Sequence, residues 1–179
     1  SNGDGGKVVL WSDVHNTNSM TTVNGFIYAK GGTYGGNGGN VETSGRQLKV
    51  DDIRVDTSTV DGNAGNWLID PYHIYINSNG NNYTTSGSTT IQSNNASADG
   101  SDRSYIAHTV IETALSSNNV TVQTASGYRI YSQGDGTITY SGGTSRTLTL
   151  SSGADIYFAY DNTTYPGGIS GANLSLVLN

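Results

Sequence analysis

The chain of 179 residues contains no cysteine, which excludes a disulfide framework and any metal site built from thiolates. A secreted protein without disulfides must be held together by a sizeable core or by stacked repeats. Basic residues are also scarce, because eight Lys and Arg stand against fourteen Asp and Glu, a net charge of -6. Binding along phosphates requires a basic stripe, so we expect no nucleic-acid partner.

Two kinds of apolar segment are missing as well. No apolar run is long enough to cross a bilayer, and no charged-then-apolar signal segment begins at the first residue. We therefore expect no membrane insertion. The length fits one elongated domain, residues 1–179, and we expect this domain to be a segment cut from a longer precursor.

The residues that are present favour strands. Only 12% of them are charged and 25 are glycine, a composition that would indicate disorder if strand-forming residues were rare. Short runs rich in Val, Ile, Leu, Thr and Tyr recur instead between clusters of Gly, Asn and Ser, which is typical of an all-β protein. Examples are VVLW, FIYA, NWLID, HIYI, VTVQT, TLTL and LSLVL.

A repeating unit, a glycine-rich corner followed by a strand, occurs three times, at residues 3–10, 36–41 and 62–69. The last glycines of the three corners are Gly6, Gly39 and Gly65, at spacings of 33 and 26 residues. Periods of this length are the signature of solenoids and stacked arrays. The pattern predicts stacked coils rather than a closed globule.

Several stretches also carry a resemblance to a known family. They are GGKVVLWSD at 5–13, GFIYAKGGTYGGNGGNVETSG at 25–45, NWLIDPYHIYI at 66–76, IETALSSNNVTVQT at 111–124, RTLTLSSGADIYF at 146–158 and LSLVLN at 174–179. Together they resemble the large exoproteins of two-partner secretion, the filamentous haemagglutinin and high-molecular-weight adhesin family. The resemblance covers most of the chain but includes no ligand-binding motif of that family.

The resemblance implies a right-handed parallel β-helix that is secreted or displayed on the bacterial cell surface and acts in adhesion, as a shaft or as a receptor- or glycan-binding region. The implied partners are an outer-membrane two-partner secretion transporter and a receptor, such as a glycan, on a host or neighbouring cell. Lack of disulfides suits passage through such a transporter. The expected role is not enzymatic. Two alternatives stay open, a polysaccharide-degrading β-helix enzyme and the delivery stick of a contact-dependent toxin.

The glycine run at 36–40 has two alternative interpretations as a ligand site. A Walker-type loop needs Lys and Ser or Thr after its last glycine, whereas Asn40 and Val41 follow here. A calcium-binding nonapeptide works in tandem repeats, and the motif occurs singly. We interpret the run as a structural corner and predict no cofactor. No metal is predicted either, since His15, His73 and His108 lie far apart in the sequence.

One strand face carries a charged trio. Between residues 47 and 56 the apolar and polar residues alternate, which places Asp52, Arg54 and Asp56 on one face. A polysaccharide lyase would place acidic metal ligands and a base on such a face. A solvated charge ladder is the favoured interpretation, because no second acidic cluster completes a calcium site.

The sequence contains one helical candidate and several structural expectations around it. Residues 104–115 predict a short helix capped by Ser104, with Ile106 and Leu115 on its apolar face. Trp67 should enter the coil interior and Asp70 should open a turn at Pro71.

The polar tracts at 77–90 and 93–102 predict protruding loops, where binding is usually found. Alternation also predicts a set of inward pairs: Val120/Val122, Tyr128/Ile130, Ile138/Tyr140, Leu148/Leu150, Ile156/Phe158 and Leu174/Leu176/Leu178.

The same alternation sends Tyr75, Tyr131 and Tyr157 outward. Tyrosine offers a flat apolar face and a polar tip, which suits stacking on sugar rings, and the low charge of the chain favours neutral glycans. The favoured interpretation is that these rings only stack on neighbouring coils and shield the sheet, since scattered surface aromatic residues are normal. Five N-x-S/T sequences are candidate glycosylation sites, at Asn82, Asn95, Asn119, Asn162 and Asn173.

Overall fold

A computed structural model describes residues 2–78, 80, 103–132, 136–158 and 167–179. Within these ranges the chain forms short strands and one helix, numbered here in chain order. The elements are β1 (Lys7–Trp11), β2 (Met20–Thr22), β3 (Gly25–Tyr28), β4 (Asn40–Gly45), β5 (Gln47–Lys49), β6 (Ile53–Asp56), β7 (Asn66–Pro71), β8 (His73–Asn77), β9 (Arg103–Ala107), α1 (His108–Leu115), β10 (Asn119–Gln123), β11 (Ile130–Ser132), β12 (Ile138–Tyr140), β13 (Arg146–Ser151), β14 (Ile156–Tyr157), β15 (Ile169–Gly171) and β16 (Leu174–Leu178).

The first side of the molecule is a six-stranded parallel sheet in the order β1-β4-β7-β10-β13-β16. Each strand is separated from the next by one full coil of chain. Register partners such as Lys7 and Asn40, or Asn40 and Asn66, are therefore 33 and 26 positions apart. The protein is a β-solenoid of parallel stacked coils, which confirms the fold predicted from the glycine corners.

Two further sides complete each coil. The second side holds the pair β2-β5 and the four-stranded sheet β9-β8-β11-β14, and the third side holds the pairs β3-β6 and β12-β15. Helix α1 contacts both β6 and β12, so it occupies the place of a strand on the third side. All of the ladders that join these strands are parallel.

The glycine corners stack as predicted. The backbone N–H of Asn40 donates to the carbonyl of Gly6 at 3.0 Å, and that of Asn66 donates to the carbonyl of Gly39 at 3.1 Å. A Cβ on Gly39 would overlap the Gly6 carbonyl oxygen, and a Cβ on Gly65 would overlap that of Gly39. Glycine is required here because the backbones of successive coils lie in direct contact.

The core lies between the three sides and consists of columns of apolar side chains at equivalent positions. One column runs through Val41, Trp67, Val120 and Leu148, all of which are buried. Trp67 enters the interior as predicted, and its indole N–H donates to Thr43 Oγ1 at 3.0 Å. Each such side chain contributes on the order of 2 kcal/mol by leaving water.

The helix begins later than the sequence predicts. Residues 103–107 form β9, paired with β8, and α1 starts at His108. The capping role predicted for Ser104 is therefore wrong: Ser104 is buried in β9, where its hydroxyl accepts a hydrogen bond from the Leu48 backbone N–H at 2.9 Å. Pairing with β8 outweighs the helical pattern, because tertiary contacts override a short amphipathic signal.

Three smaller expectations also need correction. Strand β7 continues through Asp70 to Pro71 because both residues pair with β4, so the predicted turn lies beyond them. Tyr128 does not point inward: it precedes β11 and contacts the outward ring of His73. Leu176 and Leu178 are half exposed, since β16 is the last strand of its sheet in the described chain.

The other predicted inward residues on β10 to β13 are buried. The protruding loops predicted at 77–90 and 93–102 lie almost entirely outside the described residues, which include only 77, 78 and 80 of them.

One buried amide links the helix to the coil before it. Asn118, fully buried, donates from Nδ2 to the carbonyls of Val55 at 2.8 Å and Ala114 at 2.6 Å. Its Oδ1 accepts from the backbone N–H of Thr57 at 2.7 Å and from the Thr57 hydroxyl at 2.8 Å. Because α1 stands in the place of a strand, backbone groups of Val55 and Thr57 in the preceding coil lack a strand partner at this position. The Asn118 side chain provides their hydrogen bonds instead.

Asn118→Ala should lower the free energy of unfolding by about 3 kcal/mol or more, because several buried donors and acceptors lose their partner at once. Urea denaturation would measure this change. Asn173→Ala is the matched control, since Asn173 is exposed and makes one bond to the Gly142 carbonyl. A similar, small effect of both substitutions would contradict the role assigned to Asn118.

Candidate functional site: a tyrosine ladder on the second side

Four tyrosines form a continuous stack on the side of the second sheet that faces away from the core. Their order is Tyr105, Tyr75, Tyr131 and Tyr157, one from each strand of the sheet β9-β8-β11-β14. Successive ring centroids are 5.1, 4.6 and 5.2 Å apart, with interplanar angles of 27°, 12° and 10°. We call these four residues the tyrosine ladder.

The ladder follows from strand register. Ile74, Ile130 and Ile156 are aligned on neighbouring strands and face the core, so the next residue of each strand points outward. The sequence therefore predicts that Tyr75, Tyr131 and Tyr157 point away from the core, and the register of the structure aligns them. It misses Tyr105, because the pattern of residues 104–115 predicts a helix at that position. The signal that could have found it is the pair Tyr105 and Ile106, an aromatic and a β-branched residue, which are enriched in strands.

The accessibility of the ladder decreases from one end to the other. Tyr157 is 41% exposed, whereas Tyr75 and Tyr105 are only 4% and 2% exposed. Tyr131 lies between two near-parallel rings, so both of its faces are covered by tyrosines. Stacking on a sugar requires an open ring face. This geometry favours the shielding role for Tyr75 and Tyr131 and leaves Tyr157 as the ladder residue best placed to meet a ligand.

Cationic groups and further aromatic rings flank the ladder. The guanidinium of Arg103 lies 5.4 Å from the ring centroid of Tyr75, within the range of cation–π attraction. At the adjoining corner, Arg46 lies 4.8 Å from the ring of Tyr72. Tyr72 in turn contacts Tyr128 at 4.8 Å. These contacts extend the aromatic surface from the ladder to the corner between the first and second sides.

An ion pair lies beside the exposed end of the ladder. Arg129 Nε donates to Asp155 Oδ2 at 2.9 Å, and the Tyr157 hydroxyl donates to the same oxygen at 3.4 Å. The hydrogen bond to Asp155 raises the pKa of Arg129. Both side chains are substantially exposed, so the pair adds little to stability but presents a donor and an acceptor next to an aromatic ring.

The charged trio of the third side lies on one outward face, as the alternation predicts, because Ile53 and Val55 between its members are buried. Asp56 is bound by Lys30, with Nζ to Oδ2 at 3.0 Å. Burial alone would raise the pKa of Asp56, but hydrogen bonds from Ser58 and Lys30 outweigh it and lower that pKa. In the described chain, no three His, Cys, Asp or Glu side chains group as a metal site.

Two other carboxyl groups have raised pKa values. Burial raises the pKa of Asp51 from 3.8 to about 6, and its Oδ1 is a buried atom without a hydrogen-bond partner. Burial and the nearby carboxylate of Glu42 raise the pKa of Asp70, against a hydrogen bond from Gln123. Neither carboxyl group belongs to the second side's ladder.

Two of the five candidate glycosylation sites are described. Asn173 is exposed between β15 and β16. Asn119 is engaged between coils: its Nδ2 donates to the Ala64 carbonyl at 3.2 Å, and its Oδ1 accepts from the Thr147 N–H at 2.9 Å. A sugar on Asn119 would compete with these contacts. Asn82, Asn95 and Asn162 lie outside the described residues.

The chain matches no protein-family model, and no curated protein is significantly similar to it. Among the described residues, no helix has the length and apolar character needed to cross a membrane.

Tyr131→Ala should lower the free energy of unfolding by about 2 kcal/mol, because it removes two stacked aromatic pairs from the centre of the ladder. Thermal or urea unfolding would measure the loss. Tyr34→Ala is the control, since Tyr34 is 82% exposed. Equal stability of both variants and the wild type would show that the ladder does not hold the coils together.

Asp51 should make stability depend on pH. Because its pKa is higher in the folded chain, the folded state is favoured when Asp51 is protonated, and this advantage is lost as the pH rises through about 6. Asp51→Asn should therefore raise the free energy of unfolding at about pH 7.5 by on the order of 1 kcal/mol, allowing for screening by water. Urea midpoints across the acidic to neutral range would test this. An unchanged pH profile in the variant would refute it.

Proposed function

We propose that this chain is a segment of a secreted or surface-displayed bacterial adhesin, in which the β-solenoid acts as a rigid shaft and carries a receptor- or glycan-binding surface. The observation that supports the proposal is the outer face of the second side. There, a parallel stack of coils presents an aromatic ladder that ends in an exposed tyrosine beside an ion pair. The family resemblance of the glycine corners and strand motifs points the same way.

The architecture suits a shaft for physical reasons. In a solenoid each coil contacts only its neighbours, so adding coils lengthens the molecule without changing its cross-section. The six-stranded ladder of the first side joins every coil to the next, shorter ladders on the other two sides join some of them, and the ladder of rings adds side-chain contacts along the same direction. Such a body can hold a binding surface away from a cell.

The exposed end of the ladder suits a neutral ligand that has both apolar and hydroxylated parts. Tyr157 provides an open aromatic surface, and Arg129 and Asp155 provide a donor and an acceptor whose charges cancel. Sugars combine C–H faces with hydroxyl groups and therefore fit this chemistry.

No observation on the described chain favours either alternative function. A polysaccharide-degrading enzyme would need a catalytic carboxylate pair or metal cluster in a groove. The outward trio Asp52, Arg54 and Asp56 is instead an open face in which Asp56 is bound by Lys30. A toxin-delivery stick would share the same solenoid, so the fold does not distinguish it from an adhesin.

The proposal is tested by measuring whether beads coated with the folded chain adhere to epithelial or bacterial cells and to a glycan array. We expect specific adhesion that falls up to about tenfold in Tyr157→Ser, the loss of one aromatic contact. Tyr157 is the residue to replace because serine at the buried Tyr75 would also disturb the fold. Tyr34→Ser is the control. A folded chain that binds no cell and no glycan would contradict the proposed function.

A further inference from the structure

A second aromatic surface lies on the third side, away from the tyrosine ladder. Phe26 and Tyr28 alternate on β3 with Ile27, which packs against the core, so both rings point outward. Their planes are parallel within 3°, with centroids 6.1 Å apart. They are 70% and 65% exposed, which leaves most of each ring open. We call this pair the Phe26–Tyr28 platform.

The platform has a border of charged groups on the neighbouring strand. Strand register places Arg54 directly beside Phe26 and Asp56 directly beside Tyr28. Asp56 is held by Lys30, whose Nζ lies 3.0 Å from Oδ2. Arg54 is exposed, and its Nη1 donates to the carbonyl of Ile53 at 2.8 Å, so the other N–H groups of the guanidinium are accessible to a ligand.

The platform differs from the tyrosine ladder in the residues that the neighbouring coil places beside each ring. In the ladder, the next strand presents another tyrosine at the same position, and the rings cover one another. On the third side, the next strand presents Arg54 and Asp56, so no ring from β6 covers the platform. Two adjacent exposed aromatic rings form one contiguous apolar patch, and an apolar patch with a polar border is the type of surface that binds ligands.

The charges beside the platform select the class of ligand. Arg54 and Lys30 carry two positive charges, and Asp52 and Asp56 carry two negative charges, so the local net charge is zero. Neither an acidic nor a basic ligand gains from such a border. A neutral sugar does, because its hydroxyls can both donate to Asp56 and accept from Arg54, while its C–H face covers a ring.

The geometry points to a saccharide-binding site in which Phe26 and Tyr28 stack on neutral pyranose rings and Arg54, Asp56 and Lys30 bind the sugar hydroxyls. The inference rests on the proposed adhesive function and deepens it, because it names a sugar class and a place on the shaft. The site needs no conformational change, since both rings are already exposed.

The experiment uses the full chain and three free disaccharides, lactose, cellobiose and mannobiose, with saturation-transfer NMR and calorimetric titration as readouts. At least one disaccharide should bind, and binding should weaken at least tenfold in the Phe26→Ala/Tyr28→Ala double variant. Because both side chains are mostly exposed, circular dichroism and the Tm should remain close to those of the wild type. Trp11→Ala/Tyr34→Ala is the matched control, as it removes two aromatic rings of the same coil that are 70% and 82% exposed.

Other results would contradict the platform alone or both proposals. Sialyllactose, a negatively charged derivative of lactose, is titrated as a fourth sugar. Sugar binding retained in the double variant would overturn the platform, as would tighter binding of sialyllactose than of lactose. Adhesion of the wild type to cells would still support the proposed function in either case. Adhesion to cells without binding of any of the three disaccharides would likewise overturn the platform alone. If the chain binds neither cells nor sugars, both proposals fail.

Discussion

The structure depends on the direct contact between backbones of successive coils. Parallel strands can be stacked only at the spacing that N–H to C=O hydrogen bonds allow, about 4.8 Å. On the flat sides, side chains point away from this contact and do not obstruct it. At the corners the chain turns, and a side chain would point into the coil above or below. Gly39 and Gly65 stand where a Cβ would overlap the preceding carbonyl, so glycine at these two corners is what allows β4 and β7 to stack on the coil before them.

Fixed register has a second consequence, because it brings equivalent side chains into rows. Apolar residues become core columns and tyrosines become the ladder. Polar side chains at the corners are aligned in the same way. The backbone N–H of Asn37 donates to Asp4 Oδ1 at 2.7 Å, and the backbone N–H of Asn63 donates to Asn37 Oδ1 at 2.9 Å. Each side-chain oxygen satisfies the corner of the next coil. A solenoid therefore meets the hydrogen-bonding needs of its corners with the coil that follows.

This repetition explains which features can be predicted from the sequence. The glycine corners, the entry of Trp67 into the core and the outward direction of Tyr75, Tyr131 and Tyr157 all follow from local patterns that recur. The third coil breaks the repeat, because its register partners Asn66 and Asn119 are 53 positions apart. In it, β9 joins the second side and α1 replaces a strand.

No local sequence pattern predicts the extra strand β9 or the helix in place of a strand. Residues 103–107 form a strand because they pair with β8, and the position of α1 depends on the hydrogen bonds of Asn118. Tyr105 and the Phe26–Tyr28 platform cannot be predicted from the sequence for the same reason, because the contacts of each ring depend on the residues of the neighbouring coil.

The coil beside an aromatic residue also decides whether that residue can act in binding. When the neighbouring coil carries an aromatic ring at the same position, the two rings stack and stabilise the fold, and the covered ring faces cannot contact a ligand. Tyr131, between Tyr75 and Tyr157, is an example. A ring that meets charged residues keeps its faces open and gains polar groups at its border, as Phe26 does beside Arg54. Repetition of an aromatic residue at one position therefore builds the shaft, and interruption of that repetition creates a surface for ligands. On this basis the functional residues of a solenoid should be sought where outward aromatic residues have no counterpart one coil away.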